Sequence, residues 1–124
     1  MIRIFDLFGK SAALKALDGA LREAGLHPAT VPEPVKLTLL KQAQPAISAQ
    51  GQDAALADTA RLFAFAMLGP ATHAEQNGAD ATAHAEHRLA AAIEDGESLD
   101  ARIILLALHA GLISPEIAER IEAD

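Results

Sequence analysis

The chain has 124 residues, 51% of them hydrophobic, no cysteine, and a net charge of −7. That length suits one α-helical domain over residues 1–124, and the missing cysteine removes disulfides, thiolate metal ligands and a cysteine nucleophile. The acidic balance, with four Phe and no Trp or Tyr, speaks against broad phosphate binding and base stacking, so no nucleic-acid partner is expected.

The charge is unevenly spread. Residues 1–70 carry seven Lys/Arg and six Asp/Glu, whereas residues 71–124 carry three against eleven. An acidic exterior keeps a small protein soluble, and it also offers a docking surface to a basic partner. The N-terminal "MIRIFDLFGK" contains Asp6 and lacks a sustained apolar stretch, which reads as no secretion signal. The runs "LFAFAML" and "IILLAL" are too short to span a bilayer, so a cytoplasmic protein without a membrane span is expected.

Residues 2–8 are ambiguous, because Ile2, Ile4 and Phe8 alternate as in a strand while Phe5 and Leu7 do not. No partner strand is evident, which favours a short helix. Ser11 then reads as the N-cap of a helix with Leu14, Leu17, Leu21 and Ala24 on its inner face, ended by Gly25. "FGKS", residues 8–11, resembles the end of a phosphate loop, but the glycine required five residues before Gly9 is Ile4. "LHPATVPEPVK" is a linker that places His27 in a loop, and Pro34 opens a helix through Ala43. Pro45 is expected to interrupt that helix.

Asp53 is expected to open a helix over about residues 53–68, ended by Gly69-Pro70. Phe63 and Phe65 lie roughly 200° apart on a helical wheel. Both are buried only in an element flanked on two sides. Thr72 and Glu75 spell a capping box for a helix reaching about Glu94, with a break at Asn77-Gly78 and Asp80 as cap as the alternative. Ser98 caps a helix over about residues 98–110 that is apolar nearly all round, the pattern of a buried helix. Ser114-Pro115-Glu116 opens a last helix with Ile117, Ala118 and Ile121 inward. The sum is an all-α bundle of six to seven helices in which 53–68 and 98–110 are central.

One constellation carries chemistry. On an unbroken helix His73, Asn77, Asp80, His84 and His87 follow at intervals of 4, 3, 4 and 3 and share a stripe. Ala81, Ala85, Leu89, Ala92 and Ile93 form the core-facing stripe, centred roughly 130° away, so the histidines point outward. His73, Asp80, His84 and His87 are therefore candidate ligands for zinc or another divalent first-row ion. A straight helix seldom offers more than two ligands to one ion, so Glu86, His109 or a second copy of the chain would complete the sphere. The His-x-x-His pair also lacks the glutamate of the metalloprotease motif.

Other features read structurally. The acids Glu94, Asp95, Glu97 and Asp100 surround a turn without calcium-loop spacing. His109 reads as a C-terminal dipole partner or a core histidine. The last helix sets Arg120 against Glu116, Glu119 and Glu122, which would repel DNA. With three of four serines assigned as caps and no cofactor loop, the expectation is a non-enzymatic helical protein of regulatory or adaptor type. It would act through protein–protein contact, including as a homodimer. Metal binding on the histidine stripe is the alternative. A weaker third is an apolar-ligand carrier lined by Phe63, Phe65, Met67 and Leu106.

Overall fold

The computed structural model describes the backbone of residues 2–123 and the side chains of residues 12–122. Among the described residues seven helices follow in order: α1 (Ile2–Glu23), α2 (Glu33–Gln50), α3 (Gln52–Leu68), α4 (Pro70–Asn77), α5 (Ala79–Glu94), α6 (Leu99–His109) and α7 (Pro115–Ala123). A single 3₁₀ turn, Pro28–Thr30, interrupts the α1–α2 connection. No strand occurs among the described residues, so the bundle is all-α as expected. No described helix is long and apolar enough to cross a membrane.

Helix α3 is the axis of the molecule. It packs against α1, α2, α4, α5 and α6, and Phe63 and Phe65 are both fully buried. Encirclement explains how two rings on opposite flanks of one helix are both inside. The same two rings belong to the hydrophobic core, with Met67 and Leu106 packed against it. Helix α6 contributes Ala101, Ile103, Ile104 and Ala107 to that core, and α1 and α2 contribute Leu17, Leu21, Leu39, Leu40 and Ala43. Both segments expected to be central are helices that feed the core, but only α3 is enclosed on several sides; α6 buries one face and leaves Arg102 and His109 exposed.

Two helices run longer than the sequence suggests. Helix α1 is continuous from Ile2, so Ser11 lies within it rather than capping it, and "FGKS" is helical backbone rather than a phosphate loop. The side-chain pattern of Ile2, Ile4 and Phe8 lies outside the described residues. Helix α2 continues through Pro45. An internal proline costs about 3 kcal/mol. Leu39, Leu40 and Ala43 are buried before it and Ile47 packs on the core after it. Each large aliphatic side chain returns about 2 kcal/mol on burial, which outweighs the proline.

The stops are built by glycine. Gly25 at φ 88° ends α1 with a Schellman motif: Leu26 N–H donates to Leu21 O and Gly25 N–H to Arg22 O. His27 then accepts from Ala29 N–H at 3.0 Å through Nδ1, which makes the expected loop histidine a cap for the 3₁₀ turn. Ser98 caps α6 as expected, accepting from Ala101 N–H at 3.1 Å. His109 is exposed in the last turn of α6, the position of a dipole partner and not of a core residue.

The main departure is at Gly78. The expected helix from Thr72 to about Glu94 is two helices, α4 and α5, meeting at a residue with φ 93° and ψ 165°. That combination is open only to glycine. Gly69, with φ 83° and ψ 165°, makes the same one-residue corner between α3 and α4. Helix α4 accordingly starts at Pro70, so the Thr72–Glu75 capping box is not its N-terminus, and Gly78 rather than Asp80 precedes α5. Asp53 likewise sits in the first turn of α3, after Gly51.

Candidate functional site

The corner at Gly78 decides where the histidines go. A straight helix would have carried His73 outward with His84 and His87. Because the chain turns, α4 lies across α3 and His73 is 2% exposed. The expectation that all the imidazoles face solvent fails at this residue for that reason. The His73 ring meets Phe65 edge-on, with centroids 5.4 Å apart and planes at 87°, a favoured aromatic geometry.

The His73 ring has one polar partner among the described residues. Its Nδ1 lies 2.7 Å from Thr82 Oγ. The Thr82 hydroxyl donates to Gly78 O at 2.9 Å, one turn back along α5. The hydroxyl can also face the ring, so the contact with Nδ1 forms in either tautomer, with Thr82 donating or accepting accordingly. Burial lowers the pKa of His73 below its ordinary value and keeps it neutral. Among the described residues no group lies within hydrogen-bond distance of Nε2, which is buried.

His73 forms part of the wall of a cleft of about 390 Å³ between α3, α4 and α5. Arg61 lines it from α3, Asn77 from α4, and His84 and Arg88 from α5, with Ala81 and Ala85 as the apolar wall. Asn77 Nδ2 donates to Ala24 O at 2.7 Å, closing the free carbonyl end of α1. Arg88 is held tightly. Its Nε and Nη2 grip both oxygens of Asp100 at 3.0 and 2.9 Å, while Nη1 donates to Asp58 O at 3.0 Å and lies 3.3 Å from the Asp58 carboxylate. Its side chain is 13% exposed. Burial alone would lower its pKa, but the Asp100 hydrogen bonds and the charges of Asp100 and Asp58 outweigh this and raise it. The guanidinium thus ties α3, α5 and α6 together. Arg61 is exposed and makes no ion pair with a described residue.

Of the four residues predicted as metal ligands, the structure brings His73 and His84 to one cleft. Asp80 and His87 are exposed on α5 and do not line it. Among the described residues no three His, Asp or Glu gather as a metal site would require. The suggested completing residues are elsewhere: Glu86 pairs with Arg120 of α7, and His109 ends α6. The unpaired guanidinium of Arg61 on the same cleft also disfavours a cation.

Arg61 and Arg88 were not singled out from the sequence. Arg88 left a trace: it interrupts the inner stripe Ala85, Leu89, Ala92, and a cation in such a stripe calls for a buried partner. Arg61 left none, since an arginine on an exposed helix position is ordinary.

An all-α bundle around one enclosed helix, with a small cleft of mixed lining beside it, is the class that fold and site define. No family model, curated protein or solved structure matches the chain.

Proposed function

We propose that this protein acts by binding rather than by chemistry, taking a small polar ligand in the cleft between α3, α4 and α5. The observation that carries this reading is the composition of the cleft. It joins an imidazole kept neutral by burial, a guanidinium free of ion pairs with described residues, and an alanine wall. Its volume falls at the small end of ligand pockets, whose typical range begins at roughly 300 Å³.

The expected protein partner keeps a separate support. Glu94, Asp95 and Glu97 at the α5–α6 turn and Glu116, Glu119 and Glu122 on α7 are exposed, a surface suited to a basic protein. Leu37 is the one large hydrophobic side chain exposed among the described residues, at 37%. Contact would therefore be electrostatic and salt-sensitive, not an apolar dimer seam. Zinc or another divalent ion remains the minor alternative through His73 and His84.

The test is a ¹H–¹⁵N NMR titration of the intact protein against a fragment set and against zinc. Fragment-induced shifts clustered at Arg61, Asn77, Ala81 and His84 are expected. If no fragment perturbs these residues the cleft reading is wrong, and if only zinc does, the metal reading replaces it.

A further inference from the structure

We propose that the groove between α5, α6 and α7 is where a basic partner protein docks, inserting one leucine-sized side chain flanked by lysines or arginines. This rests on the basic-partner reading, is independent of the cleft, and adds the docking point and the chemistry of the docking segment. The groove holds about 200 Å³. Leu89 and Ile104 are buried at its base, and Ile93, Leu105 and Ile121 are half-buried along its sides. Its space comes from small residues, since Ala92 and Gly96 stand where larger side chains would fill it. An apolar cavity of roughly 150 Å³ holds one benzene ring, and ligand pockets begin at roughly 300 Å³. The groove therefore suits a single apolar side chain better than a free-standing ligand. A side chain seated in such a pocket supplies most of the energy of a small protein contact.

The charge beside the groove selects what carries that side chain. Glu94 follows Ile93, Asp95 and Glu97 flank Gly96, and Glu122 follows Ile121. All four acids are exposed, and none is ion-paired with a described residue. The neighbouring cations do not offset them. Arg120 pairs with Glu86, Arg88 is held by Asp58 and Asp100, and the exposed Arg102 is one charge against four. Carboxylates around an apolar slot repel anionic lipid, nucleic acid and acidic peptides. They attract a chain with cations on both sides of its anchor. A lone ammonium meets only part of that field, whereas a peptide spreads several charges across it. The charges set the encounter rate and its salt dependence, and the anchor sets how long the complex lasts.

The experiment titrates the intact ¹⁵N-labelled protein with the capped peptides KKLKK, KKAKK and EELEE and reads the amide shifts. KKLKK is expected to shift Ile93, Gly96, Leu105 and Ile121. KKAKK should bind about tenfold more weakly, for the apolar area it lacks, and EELEE should shift none of them. Raising the salt to about 1 M, where the Debye length is about 3 Å, should weaken KKLKK about tenfold. The combined variant Glu94→Gln, Glu97→Gln and Glu122→Gln should do the same at low salt. Gly96→Leu is the blocking variant: a Cβ there meets nothing within 4 Å, so the fold is kept while the added side chain occupies the groove. It should abolish the preference for KKLKK over KKAKK. If that variant does not fold, the preference shown by the unaltered protein decides. Equal binding of KKLKK and KKAKK, or shifts confined to acidic residues outside the groove, overturns the proposal and leaves the basic-partner reading standing. If neither lysine peptide shifts any residue of the α5–α6 turn or α7, both fall. Shifts at the groove that appear on raising the protein concentration alone would make the occupant a second copy of this chain, and would overturn the proposal too.

Discussion

Where α1 and α2 pack on α3, the buried side chains they bring among the described residues are apolar, Leu17, Leu21, Leu39, Leu40 and Ala43, with one ion pair, Lys36–Asp18 at 3.0 Å, joining the two helices. Where α4 and α5 pack on it, Ala85, Leu89 and Ala92 are joined by His73, Thr82 and the nearly enclosed Arg88. The first side holds the bundle by non-directional burial, which tolerates small shifts. The second holds it by directed bonds that fix rings and forks in place, and the cleft lies there. Stability and orientation are thus divided between the two flanks of one helix.

The division has a measurable signature in stability. Leu39→Ala removes a fully buried side chain and leaves a void, for an expected loss of about 3 kcal/mol. Arg88→Met removes a nearly buried cation and orphans Asp58 and Asp100. Those carboxylates are 47% and 28% exposed, so water relieves them and the expected loss is smaller, about 2 kcal/mol. Urea unfolding checks both. The arginine variant should also lose cleft order, seen as altered Ala85 and His84 amide shifts in the folded state, while the leucine variant leaves those shifts in place. Equal disturbance of the cleft by both would erase the distinction.

The corner that creates the polar flank is the next point of attack. Gly78 has open space where a Cβ would go, so Gly78→Ala meets no clash and its cost is backbone strain alone, about 1–2 kcal/mol. That strain vanishes if α4 and α5 fuse into the straight helix the sequence pattern favours. The expected result is a destabilised protein in which His73 becomes more accessible, read by faster proton exchange at its ring. Gly69→Ala is the harsher control, because its Cβ would lie 2.7 Å from Ser114 Oγ. A Gly78→Ala protein with unchanged stability would show that the corner is not glycine-dependent.

Much of the fold was legible because it follows from periodicity. The flanked position of α3 follows from the angular separation of Phe63 and Phe65, and the ends of α1 and α3 follow from Gly25 and Gly69-Pro70. Pro45 misled because propensity is a local term and the leucines before it outweigh it through tertiary burial. Gly78 misled because an in-helix glycine and a corner glycine look identical in one dimension, and only the space available to α4 separates them. The site was half legible for the same reason. His73 and His84 were found by spacing along one helix, whereas Arg61 reaches the cleft from α3. No spacing relates residues on different helices.

The smallest expected effect isolates His73. Its folded pKa is lowered by burial, so the folded state resists protonation that the unfolded chain accepts. Its stabilising contribution is complete above the unfolded value near 6.5 and is lost as pH falls from there through the lower folded value. His73→Phe preserves the edge-on contact with Phe65 and leaves Thr82 bonded to Gly78 O, while removing both ring nitrogens. The variant is therefore expected to match or exceed the parent in stability at pH 7.5. Its advantage should grow as the pH is lowered to 5, where the parent pays for proton uptake on unfolding and the variant does not. The other four histidines are common to both proteins and cancel in the difference. Urea midpoints measured in parallel across that range give the answer. A constant gap between the two proteins would mean that the imidazole titrates alike folded and unfolded, and that the polar flank of α3 is wetter than its geometry indicates.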